Sequence, residues 1–387
     1  MKKNYLLYAL SFMLTASVFT ACSDDDDPVV SPVEETVYTD ATGLQLTYND
    51  AAMLGKQITY TPNVADVTKA TITLAGEPLN LTAQTKSTEG IASPGIIPGE
   101  ASTTLNVENV VITGDKVTFT GTDEANGRTI TYTGEASADA LTLNLSVELP
   151  ATPLDGTTWN VITGENNAPI HILWDADPFM FMGNPEGWDM QSALNLIMMM
   201  TKIEEQTIPQ MLCGVLKSVS FLPNGNIQAE YKDSLKAAEW LTSPLNIAMY
   251  TANESDIRLY LNPGQIIASA TKSTKSTDPN AAIAALIQQI APMLGEGIPL
   301  TYKTDEQGAM IAYLDETTLL PLLQTVAPMF EDEAFVNMIV ELLKAQAPAD
   351  MAGTIDLFLK PVLVAIPEVV ASTRSMEIGL KLTPNAN

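Results

Sequence analysis

Apolar and polar residues alternate with a period of two along the first half of the chain, which is typical of β-strands that bury one face. Segments with this pattern cover residues 44–48, 58–60, 72–74, 107–112, 117–120, 129–133 and 141–149. Short turns separate them, and one contains Asn126-Gly127, a pair that tolerates the positive φ of a hairpin turn. Parallel strands need long crossovers, so residues 37–150 are predicted to form an all-β antiparallel barrel or sandwich.

The second half of the chain mixes hairpin and helical patterns. Hairpins are predicted over residues 219–231, 245–261 and 300–314, followed by a final strand over residues 376–382. Apolar residues at helical spacing predict helices over residues 190–205, 281–294, 317–330, 331–345 and 355–370. The sequence therefore predicts an α+β domain over residues 154–387, an antiparallel sheet with inserted helices, in a chain that is mainly β or α+β.

Composition supports two domains. Residues 37–150 are rich in Thr and contain no Trp or His, and Met53 is their single methionine. All four tryptophans and His171 follow residue 154, and a chain of 387 residues is long enough for two cores.

The N-terminus has the three-part order of a secretory signal. Lys2 and Lys3 precede an apolar run over residues 5–19, which is shorter than the ~20 residues of a membrane span. Residues 19–22, Phe-Thr-Ala-Cys, resemble a lipobox, which implies cleavage after residue 21 and acylation of Cys22. The alternative is an ordinary cleaved signal that happens to contain a cysteine.

An acidic run follows the lipobox. Ser23, Asp24, Asp25, Asp26 and Asp27 resemble the export signal of Bacteroidetes lipoproteins, which implies display on the outer face of the outer membrane. Like charges repel each other, so residues 22–36 are predicted to be an extended tether. The alternative is that the acidic run is only a spacer.

The net charge limits the partners. Cleavage removes Lys2 and Lys3 from the 19 basic residues and none of the 46 acidic ones, so the net charge changes from −27 to −29. Nucleic acids and anionic lipid surfaces repel such a protein, so attachment to membrane lipid is expected through the acyl groups of Cys22.

One segment carries a family resemblance. Residues 105–149, with a Gly-Asp turn, the strand Arg-Thr-Ile-Thr-Tyr and the closing Leu-Thr-Leu-Asn-Leu-Ser-Val, resemble the calycin-like β-barrel lipoproteins of Bacteroidetes. The resemblance implies a small lipocalin-like barrel. Residues 154–159, Leu-Asp-Gly-Thr-Thr-Trp, are also close to the Gly-x-Trp entry of lipocalins, which favours a lipocalin-like sheet in the second domain.

Aromatic residues near acids are the candidate ligand-binding residues. A carbohydrate-binding platform is predicted from Trp159, Trp174 and Trp188 with Asp175 and Asp177. Aromatic faces stack on sugars, and carboxylates accept hydrogen bonds from sugar hydroxyl groups. The alternative is that the tryptophans belong to the core. Asp175, Asp177, Glu186 and Asp189 are also the acids from which a glycoside hydrolase would draw its pair.

Other chemistry has weaker signals. His171 lies in an apolar run and is expected in a core or at an edge, and a single histidine argues against zinc, so no metal, cofactor or catalytic residue is predicted. Cys213 has no disulfide partner if Cys22 is acylated and is expected to be a buried thiol. Asp233-Ser234-Leu235 resembles the Bacteroidetes O-glycosylation acceptor, which makes Ser234 a candidate.

The leading functional hypothesis is a cell-surface lipoprotein that is not an enzyme and binds a glycan or a small apolar ligand. The alternatives are a structural or adhesive envelope protein without a small-molecule site, and a carboxylate-dependent glycoside hydrolase.

Overall fold

A computed structural model describes residues 30–78, 92–163, 169–181, 184, 186–203, 205–270, 293–346, 353 and 355–385. Cys22, residues 23–27 and nearly all of the helix predicted over residues 281–294 lie outside these ranges. The predicted fold class is confirmed, since 43% of the chain is strand against 25% helix, with a closed eight-stranded antiparallel barrel and further antiparallel sheets.

The first half is a sandwich of two sheets. Its strands are β1 (Thr36–Thr39), β2 (Leu44–Tyr48), β3 (Ala51–Ala52), β4 (Lys56–Pro62), β5 (Ala70–Gly76), β6 (Ser102–Val107), β7 (Val110–Thr113), β8 (Lys116–Ala125), β9 (Arg128–Ala136) and β10 (Leu141–Glu148). One sheet has the order β1-β4-β5-β6 and the other β3-β2-β10-β9-β8-β7. Inward residues such as Ile58, Ile72 and Leu143 are fully buried between them.

The sandwich resolves one prediction and corrects another. Residues 37–150 were predicted to form a barrel or a sandwich, and the structure has a sandwich. The strands of residues 105–149 are divided between its two sheets, so this segment does not form the small barrel that the resemblance implied. One pair is also parallel, because β10 lies beside β2 with Leu141 opposite Leu44. In chain order, β2 and β10 are the first and last strands of this sheet, so no short turn joins them.

The second half contains the barrel. Its strands and their neighbours are β11 (Thr157–Val161), β12 (Ile170–Asp175), β13 (Lys202–Ile203), β14 (Gln206–Thr207), β15 (Leu216–Phe221), β16 (Asn226–Tyr231), β17 (Leu241–Thr242), β18 (Ala248–Ala252), β19 (Asp256–Leu261), β20 (Ile298–Thr304), β21 (Met310–Asp315) and β22 (Ser375–Pro384).

The barrel closes as an up-and-down meander. Its order is β11-β15-β16-β18-β19-β20-β21-β22, and β22 pairs back to β11. β12 continues along β22 from the point where β11 ends, with Val161 opposite Leu382 and Ile170 opposite Leu380. An eight-stranded barrel of this topology is the architecture of lipocalins, and here side chains such as Phe221, Tyr250 and Met310 fill its core.

Helices are inserted between the barrel strands. They are α1 (Met190–Met200), α2 (Ile208–Val215), α3 (Pro263–Ala270), α4 (Glu316–Val326), α5 (Glu333–Gln346) and α6 (Lys360–Ala371), with a 3-10 turn at Ala327–Glu331 and a π-helix at Ile355–Leu359. Another 3-10 turn, Asp40–Thr42, joins β1 to β2 in the sandwich. The predicted helix over residues 317–330 is shortened because Pro328 lies in the 3-10 turn that follows α4.

The helices form a second apolar core with one end of the barrel. Ile197 and Val369 are buried there with Met376. In the described ranges, no helix has the length and hydropathy needed to cross a membrane.

Hydrogen bonds join the sandwich to the barrel within one compact unit, Ser31–Asn387. The fully buried Asn246 donates through Nδ2 to the carbonyls of Ala51 and Ala52, both at 3.1 Å. Asn262 Nδ2 donates to the Leu54 carbonyl at 2.9 Å, and the Tyr48 hydroxyl donates to the Asn224 carbonyl at 3.0 Å. These polar contacts fix the two folds side by side. We call Tyr48, Asn246 and Asn262, with their bonded carbonyls, the asparagine seam.

Candidate ligand-binding cleft

The three predicted tryptophans do not form one surface. Trp159 is half-buried, packs against the barrel core and donates through its indole N–H to Thr157 Oγ1 at 2.9 Å. Trp174 is 8% exposed and belongs with Trp188 to the apolar core beneath the helices. The rings of Trp188 and Phe181 lie 5.0 Å apart. The alternative of core tryptophans therefore describes their positions better than a shared platform.

Asp175 and Asp177 are held by a single arginine. Arg374 Nη2 lies 2.6 Å from Asp175 Oδ1 and its Nη1 lies 2.7 Å from Asp177 Oδ1. The hydrogen bonds from Arg374 hold the pKa of Asp175 below its ordinary value. A general acid in glycoside hydrolysis needs a raised pKa, which is the opposite of the shift at Asp175. In the structure, Asp175 and Asp177 are exposed partners of Arg374.

The other two candidate acids also have local roles. Asp189 Oδ1 accepts the backbone N–H of Ser192 at 2.7 Å and caps the N-terminus of α1. Glu186 is exposed in the turn before that helix.

His171 lies on the outer face of the barrel wall. Its Nε2 is 2.6 Å from Glu377 Oε2, and Lys303 Nζ is 2.7 Å from the same oxygen. Burial would raise the pKa of Glu377, but the hydrogen bonds from Lys303 and His171 outweigh it and lower that pKa. The cluster ties β12, β22 and β20 together.

Two further predicted residues have clear positions. Cys213 is half-buried with its Sγ 3.4 Å from the Ile162 carbonyl, and burial raises the pKa of the thiol, which keeps it protonated and unreactive. Ser234 is exposed in the loop between β16 and β17, and its glycosylation stays a prediction.

A cleft of about 310 Å³ lies where the sandwich meets the barrel. Its described lining comes from the loop 97–100, the start of β9, the linker 149–155, the turn before β16 and the end of β18. A volume near the lower end of the range of about 300–1,000 Å³ for small-molecule sites suits a small ligand. We call this cavity the junction cleft.

A buried arginine forms one wall of the junction cleft. Arg128 is 6% exposed, and its Nε lies 2.7 Å from Glu100 Oε1 while Nη1 lies 2.7 Å from Asp123 Oδ2. Burial would raise the pKa of Glu100, but the hydrogen bonds from Arg128 and Thr103 outweigh it and lower that pKa. Glu100 is therefore an anion on the cleft wall.

Asp155 provides a second carboxylate. Its Oδ1 accepts hydrogen bonds from the hydroxyl groups of Thr152 at 2.6 Å and Tyr250 at 2.7 Å. Its Oδ2 accepts a hydrogen bond from the backbone N–H of Thr152 at 2.8 Å. Burial and the nearby carboxylate raise the pKa of Tyr250, so its hydroxyl remains a donor. All three of these donors are neutral, so they leave the charge of Asp155 uncompensated.

Much of the rest of the cleft wall is apolar, beside the polar residues Asn126 and Thr251. Ile97, Pro98, Leu149 and Pro150 contribute to it. Gly225 has φ of 77°, and a Cβ there would lie 2.6 Å from Leu149 Cδ1. Glycine suits this position because its φ lies in the left-handed region, which residues with a Cβ adopt at a cost.

The sequence contained a signal for the cleft residues that our prediction missed. Arg128 lies in phase with the buried Ile130 and Tyr132 in the alternating pattern of β9. A charged residue at an inward position requires a partner, and that requirement points to a polar site. Its partner Glu100 comes from a distant loop and Asp155, at the same cleft, from the linker, and neither residue has such a signal.

Two other cavities are less suited to a ligand. One of about 610 Å³ is lined by Asp256, Arg258 and Asp315 and adjoins Met293, where the described chain resumes. Another of about 320 Å³ lies on the exposed Thr-rich face of β8, β9 and β10. Asp175, Asp177, Glu186 and Asp189 line none of the three cavities.

Within the described ranges, no three His, Cys, Asp or Glu side chains are grouped closely enough to hold a metal ion. No protein-family model, curated protein or solved structure matches this chain.

Proposed function

We propose that this protein is a lipid-anchored cell-surface protein that binds a small ligand in the junction cleft. The anchor rests on the lipobox-like residues 19–22 and the acidic run after them. The binding function rests on one observation above all, the buried Arg128 with Glu100 and Asp123 at the wall of the cleft.

A buried ion network is a poor way to stabilise a protein. Removing charges from water costs several kcal/mol per ion, and apolar side chains in the same place are often as stable or more stable. Charged groups gathered at a cavity wall are typical of a site that recognises a ligand. This favours a binding protein over an envelope protein with a purely structural role.

The cleft also supports binding through its rigidity. Its wall includes Pro98, Pro150 and Pro223, whose φ angles are fixed, and the asparagine seam holds the two folds in place. A site formed in advance loses little conformational entropy when a ligand enters. The volume suits a glycan end or a small apolar ligand, the two ligand classes of the sequence-based hypothesis.

A blocked cleft tests the proposal. Ala151 is exposed at the cleft, so Ala151→Trp is expected to fill it without disturbing the core. The experiment is a thermal-shift and calorimetric screen of small sugars, amines, acids and alcohols against the full chain in non-ionic detergent. We expect at least one class to bind the natural protein and to lose measurable affinity for Ala151→Trp.

The matched control is Ala138→Trp, which changes another exposed alanine, in the turn between β9 and β10. It should bind like the natural protein. Equal binding to both variants, or no binding by any class, would remove the junction cleft as the ligand site.

A further inference from the structure

The charges of the junction cleft indicate which ligands it accepts. Glu100 and Asp155 both line the cleft, and Asp123, which is not among the lining residues, forms an ion pair with Arg128. Glu100 and Asp123 share the Arg128 guanidinium, and Asp155 has only the neutral partners Thr152 and Tyr250, so carboxylates outnumber cations at the cleft. Each guanidinium nitrogen already has a carboxylate partner, since Nε and Nη2 bond to Glu100 at 2.7 and 3.2 Å and Nη1 bonds to Asp123 at 2.7 Å.

This arrangement disfavours an anionic ligand. An incoming carboxylate or phosphate would compete with Glu100 and Asp123 for Arg128 and would also face the charge of Asp155. Like charges in a partly desolvated cleft repel strongly because the local dielectric constant is low. The overall net charge of −27 adds repulsion of the same sign.

A neutral sugar is also a weaker fit than a cation. Tyr250 is the single aromatic side chain among the described lining residues, and it is 1% exposed. Its ring packs against Phe221 in the barrel core, with the ring centroids 5.0 Å apart, so its face is not free to stack on a sugar.

We propose that the ligand of the junction cleft is a small organic cation, an ammonium group on a short aliphatic stem. This inference rests on the proposed function. The ammonium lies against Asp155 and Glu100, and the stem packs on Ile97, Pro98 and Leu149. An ammonium supplies the positive charge that neutral donors to Asp155 lack, and the apolar wall excludes water around it.

The test uses three probes of one size, n-pentylamine, 1-pentanol and pentanoate, titrated by calorimetry into the full chain in non-ionic detergent at low salt. Pentylamine should bind more tightly than pentanol, and pentanoate should bind least. Asp155→Asn should weaken pentylamine binding about tenfold or more, which corresponds to about 1.4 kcal/mol. It should leave pentanol binding within about twofold, and added NaCl should weaken only the amine.

Glu341→Gln is the matched control. It removes the same charge from an exposed position on α5, so it should leave pentylamine binding unchanged. Because Asp155 also holds Tyr250, the pentanol titration checks that the cleft of Asp155→Asn is intact. If pentanol loses affinity in parallel with pentylamine, the Asp155 charge is not what selects the ligand and the inference is overturned.

The outcomes separate this inference from the proposed function. If pentanol or sugars bind the cleft as well as pentylamine does, or if Asp155→Asn has no effect on the amine, the cation is wrong while the ligand site stands. If no probe of any charge binds, and Ala151→Trp changes nothing, both proposals fail together.

Discussion

Lys56 is buried at the start of β4, where it is 2% exposed. Its Nζ donates to the carbonyls of Pro94 at 2.9 Å and Gly95 at 3.0 Å, which pins the loop before β6 to the sandwich. Burial lowers the pKa of Lys56 to about 8 from an ordinary value of 10.5. Carrying this charge at neutral pH therefore costs on the order of 3 kcal/mol.

Stability should consequently rise with pH between about 8 and 10.5. In that window the unfolded chain still binds the Lys56 proton and the folded chain has released it, so raising the pH favours the folded state. We expect the free energy of unfolding of the natural protein, minus that of Lys56→Met, to grow by roughly 3 kcal/mol from pH 7 to pH 10.5. Urea unfolding at four pH values measures it.

The subtraction removes the tyrosines, which titrate in both proteins. A difference that stays constant with pH would mean that Lys56 is not desolvated as the structure places it.

The two buried cations show what could be read from the sequence at the residue scale. Lys56 precedes Ile58 and Tyr60, and Arg128 precedes Ile130 and Tyr132, each in phase with the inward positions of its strand. The pattern therefore indicated that both are buried. It could not indicate their partners, because Pro94, Gly95 and Glu100 come from a loop whose position depends on the packing of the whole sandwich.

At the scale of elements, Gly379 fixes the contact of β22 with β21. A Cβ at this position would clash with the Ala312 carbonyl oxygen and lie 2.5 Å from the Tyr313 Cα. The rings of His171 and Tyr313, on the strands either side, approach to 5.8 Å. The glycine thus leaves room for two aromatic side chains on neighbouring strands.

Gly379→Ala should therefore lower the free energy of unfolding by about 3 kcal/mol, because backbone atoms cannot move aside as a flexible side chain can. Gly114→Ala is the control, since its Cβ would meet nothing within 4 Å and only the positive φ of 64° is strained. That variant should lose about 1 kcal/mol. Thermal unfolding of both measures the difference, and equal losses would contradict the steric explanation.

Local patterns predicted most strands and helices but not their pairing. The alternation in β2 and β10 is clear from the sequence, and yet about a hundred residues separate these parallel neighbours. Likewise, closure of the barrel depends on β22 meeting β11, the two ends of the second fold. Pairing between such distant strands is decided by which apolar faces meet, and no short segment encodes that.

For the molecule as a whole, the predicted anchor makes a direct test possible. Cys22→Ser should abolish incorporation of a radiolabelled fatty acid and move the protein from the membrane to the soluble fraction, because serine has no thiol to acylate. Cys213→Ser is the control and should keep both label and membrane association, since its thiol lies half-buried near the Ile162 carbonyl. Unchanged partitioning of Cys22→Ser would contradict the proposed location.

The site was less predictable than the fold. The sequence drew attention to tryptophans and acids that are close in the chain, such as Trp174 and Asp175, because proximity along the chain is all that a motif can report. The junction cleft instead brings together residues from 97 to 252. Tryptophan is large and apolar, and Trp159, Trp174 and Trp188 pack in or against two apolar cores instead of forming a surface.

The asparagine seam has a consequence for selectivity. Asn246 and Asn262 of the barrel donate hydrogen bonds to main-chain carbonyls of the sandwich, so moving the two folds apart would break several hydrogen bonds at once. If the junction cleft binds a ligand as proposed, a larger molecule could not enter by moving the two folds apart, and the present volume of about 310 Å³ would set the limit on ligand size.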